Sequence, residues 1–379
     1  MAPIKVGIVG YGFSTKCFHL PFILPNAELQ VYAFLQRAAA PSPDDPSIPT
    51  PRWGHCTIDF PQAKHYRTTD EFYADKNIEL VIVCTGTHEE FVEKAILAGK
   101  HVVVEKPFVN TSVEADRLIA LAKEKGVILT VFQNRRFDSD FLTLRHLNDE
   151  GALGDILEAD IHFDYPDPGW ISGWTKKEYS PGQGMTFGLG THTLDQALFL
   201  FGTPASVTAF LRSNRGVDSD VDDTFTIILQ YSGAQKNLLV AVKTAVVTHM
   251  QDQLRLFVRG TKGSFLKFGV DPQEAQAIAA PGQPATSAEY GVESERIWGT
   301  LTTKSEFDPK IQKYDEESQR YTGKYPSIPG RYRSYYENVS AAILGREEIF
   351  VKPETSRDGL RIIELARESQ EKGATIAWH

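Results

Sequence analysis

The chain has 379 residues, more than one hydrophobic core usually holds, so two domains are expected. Hydrophobic residues make up 41% of it and charged residues 23%, as in folded globular proteins and unlike disordered ones. The formal net charge of −9, without a cluster of Lys and Arg, argues against direct nucleic-acid binding. The start of the chain lacks a basic segment followed by an apolar run, and no later segment has the roughly 20 apolar residues of a membrane helix. We therefore expect a cytoplasmic protein that does not bind membranes.

The cysteines, Cys17, Cys56 and Cys84, are odd in number and share no metal-ligand spacing. This pattern fits a reducing compartment without structural disulfides. The sequence shows no cluster of metal ligands, so we predict no metal site and assign the thiols no chemical role.

The first third of the chain alternates short apolar runs with amphipathic stretches. The runs are rich in Val and Ile and too short for helices, which predicts buried parallel strands at 5–9, 29–35, 80–84, 101–104 and 127–132. Thr87 to Glu90 and Thr111 to Glu114 have the capping-box pattern, which predicts helices that end at Gly99 and Gly126. The Pro-rich stretch 38–51 predicts an exposed loop. Together these elements predict an α/β fold with a doubly wound parallel sheet.

The pattern changes beyond about residue 150. Successive strands without helices between them are predicted at 157–163, 224–230, 238–247, 254–258 and 264–268, and late helices at 335–344 and 355–371. Successive strands predict an antiparallel sheet and therefore a second, α+β domain. We place the first domain at residues 1–130 and the second at 131–379.

Two glycines follow the first predicted strand directly. Gly10 permits a tight turn, and Gly12 lets the backbone approach a pyrophosphate at a helix amino terminus. Thr15 replaces the third glycine of the GxGxxG pattern. This context predicts a dinucleotide site that includes Gly10, Gly12, Phe13, Ser14 and Thr15; the alternative is a purely structural turn.

The end of the second predicted strand bears on the choice between NAD and NADP. NAD-specific sites place an acidic residue there for the ribose hydroxyls, whereas a 2′-phosphate needs positive charge. Here the strand ends in Gln36 and Arg37. The sequence predicts a preference for NADP over NAD, with Arg37 at the phosphate; the alternative is that Arg37 is a solvated surface charge.

A Glu-Lys-Pro step, Glu105-Lys106-Pro107, follows the strand at 101–104. A lysine at the carboxyl end of such a strand lies where ligands bind, and its ammonium group is able to donate to a substrate oxygen. With the glycine turn, this step resembles the glucose-fructose oxidoreductase and inositol dehydrogenase (GFO/IDH/MocA) family. The resemblance implies that Lys106 is catalytic and that the peptide bond before Pro107 is cis.

The resemblance covers nearly the whole chain and is strongest to the NADP-dependent scyllo-inositol dehydrogenase-like branch. The segments that carry it are 98–102, 105–108, 134–138, 151–154, 190–192, 194–196 and 271–274, with Phe18-His19 supporting the branch. It implies an amino-terminal Rossmann domain and a carboxyl-terminal α+β domain on an open-faced, mostly antiparallel sheet. Because relatives often use that sheet for dimerisation, we expect a homodimer or homotetramer.

The second catalytic motif of the family reads Asp-x-x-x-His, in which the histidine accepts a proton and the aspartate supports it. His192 aligns with the histidine, whereas Gly188 stands where the aspartate is expected. Either Asp195, one helical turn on, takes the orienting role, or the proton relay is weakened. We predict Lys106, His192 and Asp195 as catalytic; the alternatives are a buried structural histidine and an aspartate that serves only the helix.

Further site residues are assigned by resemblance or by composition. The cofactor set is completed by Thr85, His88, Glu105, Lys106, Asn134 and Arg136. The alternative for His88 is that it serves only as a residue of the first helical turn and does not bind the cofactor. The substrate set comprises Lys106, Asp164, Tyr165, Trp174 and His192, and it belongs to a polar and aromatic cluster with His162 and Trp170. Such clusters stack on carbohydrate rings, but they also occur as core or interface aromatics.

These residues predict an NAD(P)-dependent dehydrogenase or reductase that acts on CH–OH groups of a sugar, a polyol or a related carbonyl compound. An enzyme that reduces a non-sugar carbonyl, such as an aldehyde or a diketone, fits the same pattern. The alternative from another class is a catalytically silent NAD(P)-binding regulator of the galactose-repressor type, which Gly188 favours and Lys106 and His192 disfavour.

Overall fold

The computed structural model describes residues 2–41, 52–279 and 284–379, so most of the predicted Pro-rich loop lies outside the described residues. The chain forms two compact units that are interleaved in sequence. Unit 1 contains Met1–Asn134, Gln273–Tyr290 and Tyr332–Arg357, and unit 2 contains Arg135–Pro272, Gly291–Arg331 and Asp358–His379. The two continuous domains predicted above, by contrast, divide the chain only once.

Strands outnumber α-helices in the described residues. The strands are β1 (Ile4–Val9), β2 (Leu29–Leu35), β3 (Lys64–Tyr66), β4 (Leu80–Val83), β5 (His101–Val104), β6 (Leu129–Val131), β7 (Ile156–His162), β8 (Ser206–Arg212), β9 (Thr224–Gln230), β10 (Leu239–Thr244), β11 (Leu254–Gly260), β12 (Gly263–Phe268), β13 (Gly299–Thr303), β14 (Lys313–Asp315), β15 (Arg320–Tyr325) and β16 (Ile376–Ala377). The α-helices are α1 (Leu20–Ile23), α2 (Cys56–Asp59), α3 (Thr69–Ala74), α4 (Glu89–Leu97), α5 (Ser112–Lys125), α6 (Ser139–Asp149), α7 (Thr191–Phe201), α8 (Gln273–Ile278), α9 (Arg333–Ile343) and α10 (Pro353–Lys372).

Unit 1 is built on a parallel sheet with the strand order β3-β2-β1-β4-β5-β6. The Val- and Ile-rich strands are buried on both faces, as β4 shows, because helices cover a parallel sheet on both sides. The strand order reverses between β1 and β4, and ligands of such sheets bind outside the carboxyl ends of the strands at that point. The predicted Rossmann-type sheet is thus confirmed.

The two predicted capping boxes of unit 1 had different outcomes. At α5 the box is confirmed, because the Thr111 side chain accepts from the Glu114 amide and the Glu114 side chain binds the Thr111 amide. Gly126 ends this helix in the left-handed conformation, with φ of 65°. The box at Thr87 was wrong, because α4 begins after His88 and His88 makes no side-chain capping bond. The sequence also missed β3, whose Lys-His-Tyr sequence contains no apolar run.

Unit 2 is built on a sheet with the order β14-β15-β13-β12-β11-β7-β10-β9-β8-β16. All neighbours are antiparallel except β7 and β10, which confirms a mostly antiparallel sheet. The prediction of strands without intervening helices was wrong at one point, since α7 lies between β7 and β8 and packs against β7 and β10. Large apolar side chains on this sheet that remain exposed include Leu157, Phe210, Leu239, Leu266, Phe268 and Tyr314. In the described residues, no helix has both the length and the apolar character that crossing a bilayer requires.

Candidate active site

The glycine turn after β1 has the backbone shape of a phosphate-binding loop. Gly10 has φ of +96°, and a Cβ there would lie 2.8 Å from the Cys84 carbonyl oxygen, so only glycine fits. Around Gly12, no described atom lies within 4 Å of an added Cβ, which leaves the backbone open to a ligand. Thr15 donates from its hydroxyl to the Gly10 carbonyl oxygen at 3.1 Å. The residue that replaces the third glycine therefore closes the turn, and the turn fits a dinucleotide pyrophosphate.

The carboxylate of Glu105, just after β5, is held by residues of the same unit. His19 is fully buried, and its Nε2 lies 3.0 Å from Glu105 Oε1 while its Nδ1 lies 2.6 Å from the Tyr336 hydroxyl. The Ser14 hydroxyl donates to Glu105 Oε1. Glu105 Oε2 accepts from the Lys106 amide at 2.9 Å. The backbone of Lys106 is thus tied to a carboxylate that the loop after β1 holds in place.

His19 and Glu105 form a buried ion pair. Burial alone would lower the pKa of His19, but Cys84 and Glu105 outweigh it and raise that pKa to about 10. Burial would raise the pKa of Glu105, but the hydrogen bond from His19, with the charges of His19 and Lys106, lowers it to about 2. The pair is therefore imidazolium and carboxylate at neutral pH.

His88 supports the same turn from its other side. Its Nδ1 donates to the Pro107 carbonyl oxygen at 2.7 Å and lies 3.1 Å from the Phe108 carbonyl oxygen. The Lys106–Pro107 peptide bond is cis, as the family resemblance implied. The Thr85 hydroxyl donates to the Thr87 carbonyl oxygen at 2.6 Å, within its own loop. The cofactor contacts predicted for Thr85 and His88 remain predictions.

The end of β2 presents two guanidinium groups. Arg37 and Arg67 are both exposed, and Arg67 Nε donates to the Arg37 carbonyl oxygen at 3.1 Å. The side chain of Gln36 is turned inward, where it accepts from the Cys56 amide and donates to the Gly54 carbonyl oxygen. Sequence reasoning missed Arg67, because its position beside Arg37 depends on the pairing of β2 with the unpredicted β3.

In unit 2, His192 lies in the first turn of α7 and is 5% exposed. Its ring is 6.4 Å from that of Phe163. Gly188 lies in a π-helical turn, Thr186–Gly190, directly before α7. A Cβ added at Gly188 would lie 3.3 Å from the Met185 sulfur and within 4 Å of no other described atom outside its own helix and chain neighbours. Because the Met185 thioether is flexible, a side chain such as aspartate has room at this position.

Asp195 faces an arginine. Its Oδ2 accepts from Arg136 Nε and its Oδ1 from Arg136 Nη2, each at 2.7 Å, and both side chains are 2% exposed. The Arg136 guanidinium also lies 4.9 Å from the ring centre of Phe199. This bidentate pair gives both residues a structural role. The catalytic role of Asp195 and the cofactor role of Arg136 remain predictions, as does the cofactor role of Asn134, a buried residue of unit 1 at the start of a 3₁₀ turn.

The aromatic cluster after β7 is assembled in unit 2. The Trp170 ring lies 6.1 Å from the Tyr165 ring and 5.4 Å from the Trp174 ring. Tyr165 and Trp170 are exposed, which suits a binding surface better than a core. Asp164 is committed elsewhere, since one oxygen accepts from the Ala245 amide and the other lies 3.3 Å from His162 Nδ1.

Comparisons with known proteins agree with this geometry. Residues 4–133 match the model of the oxidoreductase family with an NAD-binding Rossmann fold. Residues 141–266 match the GFO/IDH/MocA C-terminal domain. The parallel sheet, its glycine turn and the Glu-Lys-Pro step thus define an NAD(P)-binding oxidoreductase. The chain belongs to the GFO/IDH/MocA family.

Individual relatives cover the full length. An uncharacterized oxidoreductase of Schizosaccharomyces pombe is 37% identical over 383 residues, which is 99% of this chain and 100% of the relative. The scyllo-inositol 2-dehydrogenase (NADP(+)) IolW of Bacillus subtilis is 35% identical and covers 98% of this chain and 95% of its own. The crystal structure of an oxidoreductase from Bacillus cereus superposes with a TM-score of 0.83 at 30% identity, covering 99% of both chains.

Proposed function

We propose that the protein is an NADP-preferring dehydrogenase or reductase acting on CH–OH groups of a polyol or sugar. The observation that carries this proposal is the buried His19–Glu105 pair, whose carboxylate also binds the Lys106 amide and the Ser14 hydroxyl of the loop after β1. A buried ion pair costs desolvation free energy, so a purely structural turn would gain little from it. The NADP-dependent scyllo-inositol relative supports the substrate class and the cofactor preference.

The chain supplies groups for both phosphate-bearing parts of the cofactor. The open backbone at Gly12 and the turn at Gly10 would hold the pyrophosphate, and Arg37 with Arg67 would hold the 2′-phosphate. Bound there, the dinucleotide supplies or accepts the hydride at C4 of its nicotinamide. The Ser14 hydroxyl donates to Glu105, and Ser14 stays in the proposed cofactor set beside the glycine turn.

Lys106 and His192 have distinct tasks in this proposal. The Lys106 ammonium group donates a hydrogen bond to the substrate oxygen and stabilises the negative charge that develops there. The His192 imidazole accepts the hydroxyl proton during oxidation and returns it during reduction. Because Gly188 offers no carboxylate to orient the His192 ring, that ring is oriented more by packing, such as its contact with Phe163. Tyr165 and Trp174 stack against the substrate.

The test is a cofactor-consumption assay of the full chain over polyols, aldoses and small carbonyls, with NADP and NAD in parallel. Turnover of polyols or sugars with NADP preferred is the expected result. Turnover restricted to aldehydes or diketones would replace the substrate class. Tight cofactor binding without turnover on any substrate would favour the regulator alternative.

The proposal includes a homodimer or homotetramer in the cytoplasm. The exposed apolar residues Phe210, Leu239 and Leu266 of the unit 2 sheet are a surface that association would cover. The free thiols of all three cysteines fit a reducing compartment. Light scattering checks the assembly, and a monomer at micromolar concentration would contradict it.

A further inference from the structure

Three side chains that are good zinc ligands lie together in unit 1, apart from the residues assigned to catalysis. His55 and Cys56 are buried and His65 is half-buried, and one donor atom from each lies within 4.8 Å of the others. His55 is the N-cap residue of α2, Cys56 follows it, and His65 is the middle residue of β3. The two imidazole rings meet edge to face, with centroids 4.7 Å apart.

Main-chain carbonyl groups determine which ring nitrogen of each neutral imidazole carries the proton. His65 Nε2 donates to the Gln36 carbonyl oxygen at 2.8 Å, and His55 Nε2 faces the Ala38 carbonyl oxygen at 3.3 Å. In each neutral ring the other nitrogen then carries the lone pair. The lone pair on His55 Nδ1 accepts from the Thr57 amide, and the same nitrogen lies 2.9 Å from the Thr57 hydroxyl. Metal-bound histidines commonly donate their second ring N–H to a carbonyl in this way.

Gln36 binds both of the segments that carry the three ligands, the start of α2 and β3. The Gln36 side chain accepts from the Cys56 amide at 2.9 Å and donates to the Gly54 carbonyl oxygen at 3.2 Å. Its main-chain oxygen accepts from His65. Gln36 is itself buried. Gln36 thus binds the backbone of one ligand through its side chain and the ring of another through its main chain, which is the type of outer shell that supports a metal site.

We propose that Cys56 Sγ and one ring nitrogen each of His55 and His65 bind a Zn²⁺ ion, with water as the fourth ligand. Zinc takes nitrogen and thiolate ligands in tetrahedral geometry, with metal–ligand distances of about 2.0 to 2.3 Å. Binding forms the Zn–S bond, and the thiol proton is released to solvent. On binding, the three donor atoms move closer together around the ion, and the hydrogen bond from the Thr57 amide to the His55 ring nitrogen breaks. The bound ion cross-links α2 and β3, which stabilises unit 1.

The experiment uses the full chain after treatment with a chelator and dialysis. Zinc is titrated in competition with a chromogenic chelator, and Co²⁺ serves as a spectroscopic substitute. The expected results are one equivalent of Zn²⁺ per chain, a rise in Tm with zinc, and a thiolate-to-cobalt charge-transfer band. None of these measurements depends on the proposed enzymatic activity, so failure of the zinc site and failure of that activity are distinguishable.

Variants separate a built site from adventitious binding. Cys56→Ser and His65→Ala should each weaken zinc binding by more than about 100-fold, whereas Gln36→Ala should cost about 10- to 100-fold. The matched controls, Cys17→Ser and the exposed His249→Ala, should bind as the wild type does. Circular dichroism of each metal-free variant verifies that it is folded. Loss of the cobalt band in Cys56→Ser but not in Cys17→Ser supports the proposal. Equal zinc affinity in Cys56→Ser and wild type, or no stoichiometric binding at micromolar zinc, overturns it.

Discussion

The Glu-Lys-Pro turn of unit 1 and the start of α7 in unit 2 each contain a buried carboxylate, but the two carboxylates have different partners. Glu105 pairs with His19 and accepts from the backbone of Lys106, the residue proposed to contact the substrate. Asp195 pairs with Arg136, and Gly188 leaves no carboxylate at the family position. The turn that contains Lys106 therefore has a carboxylate bound to its backbone, whereas the buried carboxylate of α7 is bound to Arg136.

The largest expected effect comes from removing the two groups that we propose act on the substrate, Lys106 and His192. Lys106→Ala and His192→Ala should each lower kcat by about 10²- to 10⁴-fold, while cofactor affinity stays nearly unchanged. Steady-state kinetics and calorimetric cofactor titration measure the two quantities. Lys123→Ala, an exposed lysine on α5, is the control and should behave as wild type. Wild-type turnover in both site variants would show that the site assignment is wrong.

The second prediction concerns the loss of one partner of the buried Arg136–Asp195 pair in unit 2. Asp195→Ala leaves the Arg136 guanidinium buried without its carboxylate, so the free energy of unfolding should fall by about 3 to 5 kcal/mol. Asp195→Asn keeps the shape and should also lose stability, with kcat within tenfold of wild type because both oxygens face Arg136. Chemical denaturation and kinetics separate the two effects. A loss of kcat beyond tenfold in a stable Asp195→Asn, with a shifted pH profile, would instead give Asp195 the orienting role.

The third prediction restores the carboxylate that the family has. Gly188→Asp should raise kcat by about tenfold, because an oriented imidazole is a better general base. The substitution is sterically open, since only the flexible Met185 thioether lies near the added Cβ. Gly188→Asn is the control, as it adds similar volume without the charge. Equal activity in Gly188→Asp and wild type would show that other contacts already orient His192.

Much of the fold could be predicted from sequence because it depends on local pattern. The Val- and Ile-rich runs gave β1, β2, β4, β5 and β6, and a genuine capping box gave the start of α5. The box at Thr87 failed because the same short pattern occurs without the bond, and β13 to β15 were missed because Thr, Gly and Tyr replace an apolar run.

The site was less predictable because its supports are distant in sequence. His19 and Glu105 are 86 residues apart, and Arg136 and Asp195 are 59 apart, so neither pair has a local signal. All four residues were named from the sequence, but neither pairing was predicted. The neighbours His55, Cys56 and His65 escaped for a related reason, since cysteine spacing alone was considered and β3 was not recognised.

A fourth prediction concerns the cofactor end of unit 1. Arg37→Ala should weaken NADP binding by about tenfold and leave NAD binding unchanged, because a charge-assisted hydrogen bond to the 2′-phosphate is lost. Arg67→Ala should have a smaller effect of the same sign. Calorimetric titration with both cofactors measures this. Unchanged NADP affinity in Arg37→Ala, or equal affinities for both cofactors in wild type, would contradict the assignment.

The smallest expected effect is a change in stability with pH. It tests whether the charges of His19 and Glu105 stabilise the region around Glu105. The pKa of His19 is raised to about 10, so its contribution is complete below pH 6.5, the usual pKa of histidine, and is lost as the pH rises through 10. The pKa of Glu105 is lowered to about 2, so its contribution is complete above its usual value of 4.5 and is lost as the pH falls towards 2. The ion pair therefore stabilises unit 1 most between about pH 4.5 and 6.5.

His19→Gln isolates this contribution, because glutamine keeps a hydrogen-bonding side chain without the charge. The difference in Tm between wild type and His19→Gln should be largest between pH 4.5 and 6.5 and should shrink towards pH 10. His146→Gln, on α6 of unit 2, is the matched control and should show no such trend. If His19 positions Lys106 through Glu105, His19→Gln should also lower kcat more than it raises KM, and His19→Lys should recover part of that loss. A Tm difference that stays constant with pH would mean that His19 acts by packing alone. The His19–Glu105 and Arg136–Asp195 pairs would then differ in how they pack and not in how their charges contribute to stability.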